Sequence, residues 1–236
     1  MKDFFKKHYE KINIARLIHL KSLNLNFDNA EIVELGAGAG FFSKNLNKQN
    51  IKSLDITDGR DECVTYLKKT FINHNVYKID LNKLNKINKR YDICFAYGVL
   101  YHVDNLDNAV SNIDLLTKNF CIIETVVKHD VGSDNDFDIV DENIDTSSQS
   151  ITGKAVRFRR DFLIKKLGEK FDFVYTSKKQ PNHDQFPTNW NVKKDGISRF
   201  VVIASRHKIL SDKLCDVLLM NQKKLNIFEI IYNFFK

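Results

Sequence analysis

Cysteine is scarce and unpaired in this 236-residue chain. Cys63, Cys94, Cys121 and Cys215 lie far apart, and none belongs to a CxxC pair. That spacing excludes a disulfide-stapled scaffold and suggests no thiolate metal site; Cys94 and Cys121 sit in apolar runs, as buried thiols of a reducing compartment do. No apolar run approaches the roughly 20 residues that a bilayer span needs. The opening MKDFFKKHYEKINIARL mixes charge into its apolar positions and has no secretory apolar core, so the expectation is a cytoplasmic protein. Only two prolines occur, Pro181 and Pro187, both in one expected loop, and no internal repeat is visible.

What is present suits a globular domain. Hydrophobic residues make up 43% and charged residues 28%, enough to bury a core and to exclude a disordered chain. The net charge of +7 is uneven. Residues 1–25 hold six basic and two acidic groups, residues 206–236 six and three, and the stretch between is neutral. Within that neutral stretch, 128–150 has one Lys against seven acids, and 154–199 has twelve basic groups against five acids. Such tails are weak support for a nucleic-acid partner.

Apolar strands alternate with helical segments. Residues 1–25 read as a helical cap, followed by strands at 30–35, 51–57, 75–80, 91–99 and 119–127, with helices after most of them. That pattern predicts a parallel sheet covered by helices on both faces. Residues 128–153 lose all periodicity and read as an acidic lid. A helix at 159–171 and two strands, FDFVYTS and SRFVVIASR, follow. Residues 208–236 read as amphipathic helix. It can cap the fold, form a homodimer seam or lie on a membrane, and its few basic residues fit the last use least well.

The sharpest local signal is Glu34-Leu35-Gly36-Ala37-Gly38-Ala39-Gly40, between a strand and a helix. Glycines there let the backbone turn and approach a ligand closely. The spacing is GxGxG, and Phe41 breaks the GxGxxG dinucleotide pattern. Asp58 or Asp55, near the end of the second strand, can accept both ribose hydroxyls of a nucleoside; Asp58 fits the strand end better, and either also serves as a helix cap. Asp80 ends the third strand, where an adenine amino group is read. Tyr97-Gly98-Val99-Leu100-Tyr101-His102 ends the fourth, which puts a titratable imidazole at the cleft rim.

VELGAGAGFF, TDGR, KIDLN and FAYGVLYHVDN together resemble the glycine loop and strand-end motifs of class I S-adenosylmethionine-dependent methyltransferases, from about Ile12 to Leu210. YGVLYHVDN with IIETVV is further similar to a subgroup with a GLLYHL…ET pattern, which resembles small-molecule and sugar O-methyltransferases; Arg157-Phe158 departs from the Arg-Pro pair of that pattern. The resemblance implies a single methyltransferase domain over 1–236, an α/β three-layer Rossmann-like sandwich. Its sheet would have seven mostly parallel strands closed by a C-terminal antiparallel hairpin.

The resemblance also implies a cofactor, S-adenosylmethionine, with S-adenosylhomocysteine as product and no metal. Gly36, Ala37, Gly38 and Gly40 would pack under its methionine part, and Glu34 would meet its ammonium. Asp58 would hold the ribose, Asp80 and Leu81 the adenine, and Tyr97 and Gly98 the sulfonium side. His102 is the candidate base, with Tyr101 and Glu124 beside it; Tyr9 or Arg16 would cover the cofactor. Arg157, His183, Trp190 and Arg199 are the candidate acceptor contacts, within a basic set suited to a small anionic metabolite such as a polysaccharide precursor. An RNA methyltransferase and a non-catalytic cofactor-binding scaffold are the alternatives.

Overall fold

A computed structural model describes residues 1–83, 88–129 and 135–236. After a 3-10 turn at Lys2–Phe5 come α1 (Lys7–Ser22), β1 (Glu31–Glu34), α2 (Phe41–Leu46), β2 (Ser53–Asp58), α3 (Asp61–Thr70), β3 (Asn75–Lys78) and β4 (Tyr91–Tyr97). A second 3-10 turn, Leu100–His102, leads to α4 (Leu106–Leu116), β5 (Thr117–Val127), β6 (Phe137–Asp141), β7 (Lys154–Phe158), α5 (Arg160–Gly168) and β8 (Phe173–Ser177). The chain ends with β9 (Lys179–Gln180), β10 (Ser198–Ser205), β11 (Leu214–Cys215), β12 (Lys223–Lys224) and α6 (Ile227–Phe235).

The main sheet has the order β11-β8-β10-β5-β4-β1-β2-β3. β3, β2, β1, β4 and β5 pair in parallel, and β10 runs against both β5 and β8. Seven of these strands are the expected set with its antiparallel pair. The eighth, Leu214–Cys215, adds an edge to β8. Adjacent residues of the central strands feed opposite cores, because side chains alternate across the sheet. Val33, Cys94 and Val202 pack with α4 and α5 on one face. Ile32, Phe95 and Ile203 pack with residues of α1, α2 and α3 on the other. Both faces are covered, as the near-continuous apolar strands require.

Two segments hold structure beyond the sequence reading. Within the acidic segment 128–153, Phe137–Asp141 forms β6, which pairs with β7 in an antiparallel ribbon with Asp138 opposite Arg157 and Asp141 opposite Lys154. Lys154 pairs with Asp141, and Lys128 with Asp138 at 2.8 Å, so two of the segment's acids are matched by lysines within and beside the ribbon. Most of β6 is exposed, which is why it shows no apolar period. The C-terminal extension is helical only over Ile227–Phe235; before that, β11 joins the sheet edge and β12 pairs with β9.

β1 lies between β2 and β4, and the chain runs outward to β3 before it crosses back to β4. Crossovers on the two sides of β1 separate at that point. A crevice opens there beyond the carboxyl ends of the strands.

Candidate active site

The crevice floor is the 36–40 loop. Gly36, Gly38 and Gly40 all take positive φ, at 65°, 57° and 77°. A Cβ at Gly38 would lie 2.6 Å from Phe4 Cε1, and one at Gly36 2.5 Å from Val99 Cγ2. The loop is therefore pinned between the N-terminal turn and the segment after β4, in a conformation that favours glycine.

Asp58 fixes this loop from the tip of β2. Its Oδ2 accepts the Gly38 N–H at 2.9 Å and its Oδ1 the Arg60 N–H at 2.9 Å, and the carboxyl lines the crevice. Asp55 lines no part of it: it accepts from Asn75, Lys89 and Tyr91 and ties β2 to its surroundings. Between the two acids left open by the sequence, only Asp58 faces the crevice. Glu34, at the end of β1, is buried and accepts from the Ser43 hydroxyl. Burial pushes its carboxyl up to about 8, and the charge of Asp58 adds to the effect. Burial also raises Asp58, against its backbone hydrogen bonds. Two carboxyls pushed toward neutrality on one floor make a site that favours a cation.

Asp80, Leu81, Tyr97, Gly98, Tyr101 and His102 line the same crevice, which encloses about 1060 Å³ with its open mouth included. Tyr97 Oη is buried and has no hydrogen-bond partner among the described residues. Tyr9, Asn13 and Arg16 of α1 close one side, and residues 147–149 of the acidic segment another. Arg60 holds that segment down, donating to the carbonyls of Ile144 (2.9 Å), Gln149 (3.0 Å) and Ser150 (2.7 Å).

His102 Nδ1 meets Glu142 Oε2 at 2.5 Å. Burial lowers the imidazole below its ordinary 6.5, more than Glu142 raises it, so the ring is neutral at pH 7. Burial alone would raise Glu142, but the His102 hydrogen bond and charge, with Arg157, hold it at about 2. Arg157 Nη2 donates to Glu142 Oε1 at 2.8 Å and Nη1 to the Tyr101 carbonyl at 2.6 Å.

Several expected contacts are elsewhere. Glu124 is not beside His102; it is fully buried between Arg16 (3.1 Å) and Arg199 (3.0 Å). Arg199 also donates to Tyr101 Oη at 3.3 Å, so its charge and donors are engaged inside the protein. Trp190 is fully buried with the Arg160 guanidinium stacked 3.8 Å above its ring, a core position rather than a cleft edge. His183 pairs with Asp184 and, like Arg157 and Arg199, does not line the crevice. Glu142 carries no distinguishing mark in the sequence, and Arg60 stands in the TDGR motif without a role assigned to it there. Glu142 is one of seven acids in its segment, and only the β6–β7 pairing singles it out.

The Glu124 clasp sets a stability prediction. Glu124→Ala leaves two guanidinium groups buried against no carboxylate, a loss of about 3–5 kcal/mol. Calorimetry is expected to show a melting temperature roughly 10 °C lower.

Residues 33–120 match the family of methyltransferase domains. The fold is the class I fold that the glycine loop implied. The chain is similar to the N-terminal domain of EvdMO1, whose crystal structure was solved in the presence of S-adenosylhomocysteine and D-fucose, at 17% identity over 82% of each chain with a TM-score of 0.62. A methyltransferase from Mesorhizobium loti aligns at 14% identity over 81% of this chain and 98% of its own, TM-score 0.59. Magnesium protoporphyrin IX methyltransferase from Synechocystis aligns at 12% identity over 84% and 80%, TM-score 0.53. No protein of curated function matches the chain. Among the described residues, no group of three or more His, Cys, Asp or Glu is placed to hold a metal ion.

Proposed function

We propose that the chain is an S-adenosylmethionine-dependent methyltransferase acting on a hydroxyl of a small polar acceptor, with His102 as the base. The observation that carries this reading is the pair of buried, upward-shifted carboxyls, Glu34 and Asp58, on a glycine-loop floor. The residues fit the cofactor: the unpartnered Tyr97 hydroxyl supplies an acceptor, and the glycine loop leaves open backbone where side chains would intrude. In this reading Glu34 faces the ammonium, Asp58 the ribose diol, and Asp80 and Leu81 the adenine. Gly36, Ala37, Gly38 and Gly40 underlie the methionine part, while Tyr97 and Gly98 border the sulfonium. When bound, S-adenosylmethionine supplies a methyl carbon already activated by the positive sulfur.

The protein then aligns the acceptor and removes one proton. Glu142 engages His102 Nδ1, which leaves Nε2 to take the hydroxyl proton. Arg157 fixes Glu142 in turn. Because Arg157 and Arg199 each already face a carboxylate, the basic set does not support an anionic acceptor. A neutral sugar hydroxyl suits the crevice better, and the D-fucose present with the EvdMO1 domain supports that class. The test is release of S-adenosylhomocysteine from the purified chain with a panel of sugars and nucleotide sugars. Turnover with RNA alone would favour the nucleic-acid alternative. Cofactor binding without any turnover would favour the scaffold.

Binding should also move a proton. Glu34 is protonated below about 8 in the free protein, and a ligand ammonium favours its ionised form. At pH 7 S-adenosylhomocysteine binding is expected to release close to one proton, read from calorimetric heats in buffers of different ionisation enthalpy. Above pH 9 the release should vanish, because Glu34 is then ionised beforehand. Equal proton release at both values would separate Glu34 from the cofactor.

A further inference from the structure

The helix α6 is oriented inside out. Its polar residues face the protein: Glu229 pairs with Lys179, and Asn233 is buried. A capping box between Asn226 and Glu229 fixes its start. The apolar residues face solvent instead. Phe228 and Phe235 are each 81% exposed, Tyr232 69%, Ile227 61%, Phe234 54% and Ile231 51%. Phe228, Ile231, Tyr232 and Phe235 are spaced i, i+3, i+4 and i+7 and form one stripe. A contiguous apolar face of this size marks a surface built to be covered.

Charge identifies what covers it. α6 packs along α1, so the basic ends of the chain, residues 1–25 and 206–236, meet here. Lys21 Nζ reaches the Phe234 carbonyl at 3.5 Å, and Lys236 Nζ reaches Asn24 Oδ1 at 2.8 Å. Burial and the neighbouring charges of Lys48 and Lys236 hold the Lys21 ammonium below its usual range. A two-fold contact between copies would press such a cluster toward its own image, like charge on like charge. Beside the C-terminal end of α6 a hollow of mixed lining, with Leu17, Leu20, Leu25 and Phe27 beside Asn24, Asn26 and Asp28, opens between Lys21 and Lys236. Aromatic and aliphatic side chains turned outward, with lysines at their flank, match an anionic lipid surface.

We propose that α6 lies in the plane of an anionic bilayer interface, with its aromatic stripe among the acyl chains and Lys21 and Lys236 on the headgroups. This differs from the sequence expectation, in which a membrane is the use that fits residues 208–236 least well. The reason is that neither the outward turn of α6 nor the approach of α1 lysines is legible in residues 208–236 alone. No described helix is long and apolar enough to cross a membrane, so the contact is a surface one.

The test is sedimentation of the full chain with vesicles of phosphatidylcholine, with and without phosphatidylglycerol, at low and high salt. Partition onto phosphatidylglycerol vesicles is expected to exceed that onto phosphatidylcholine by about tenfold or more and to fall with salt. The double variant Phe228→Ser/Phe235→Ser should lose about tenfold or more while its melting temperature stays unchanged, because both rings are already in solvent. Lys21→Gln/Lys236→Gln should remove the preference for the anionic lipid. No pelleting with either vesicle overturns the proposal, as does equal binding to both. A dimer in ultracentrifugation that the serine variant dissolves, without vesicle binding, assigns the face to a second copy instead.

Discussion

Asp58→Ala is expected to weaken S-adenosylhomocysteine binding by about a hundredfold. The carboxylate does two things at once. It accepts the N–H groups of Gly38 and Arg60, holding the loop against the N-terminal turn, and it faces the crevice where a ribose would sit. A hydrogen bond to a charged group contributes about 1.5–3 kcal/mol, and each 1.4 kcal/mol is tenfold in affinity. Losing the ribose contact and loosening the loop together reach two decades. Asp58→Asn keeps one acceptor oxygen and should lose about tenfold. Asp55→Ala is the control: it breaks contacts to Lys89, Tyr91 and Asn75, so it should lower the melting temperature without changing affinity. Calorimetric titration of all three variants checks this. Equal affinities for wild type and Asp58→Ala would remove the acid from the cofactor site.

His102→Ala is expected to lower kcat by about 100- to 10,000-fold, the range for loss of a positioned base, with S-adenosylhomocysteine affinity unchanged. The pH profile carries the sign. Protonated His102 accepts no proton, so activity falls as pH drops through its folded value, which burial places below 6.5. The acid limb should therefore have its midpoint below 6.5. Glu142→Gln keeps the shape but removes the charge that favours the imidazolium, so the limb should move further down in pH, with kcat reduced about tenfold. A purely structural Glu142 would leave the limb where it is. Steady-state kinetics from pH 5 to 9 distinguish these outcomes.

The parts of the fold legible in the sequence are those in which one strand supplies its own apolar signal. β4, β5 and β10 are nearly all buried, and their Ile, Val and Phe runs announce them. The glycine loop announced itself because three positive-φ positions in five residues suit few residues other than glycine. β6 is a mostly exposed strand tied to β7 by charge pairs, which leaves no apolar period to read in the acidic segment. The pairings of His102 with Glu142 and of Glu124 with Arg16 and Arg199 join residues 40 to 108 positions apart. No local pattern encodes them; the sheet order and the ribbon register create them. Arg199 and Trp190 read as acceptor contacts, whereas Arg199 sits on β10, inside the sheet between β5 and β8, and Trp190, in the segment before β10, is fully buried beneath Arg160.

The most direct measurement is the crystal structure of the full chain soaked in S-adenosylhomocysteine. The account predicts ribose hydroxyls within hydrogen-bond distance of the Asp58 carboxylate, adenine beside Asp80 and Leu81, and the amino-acid end over the 36–40 loop. Ligand absent at saturating concentration, or its ribose held anywhere other than the tip of β2, would contradict it.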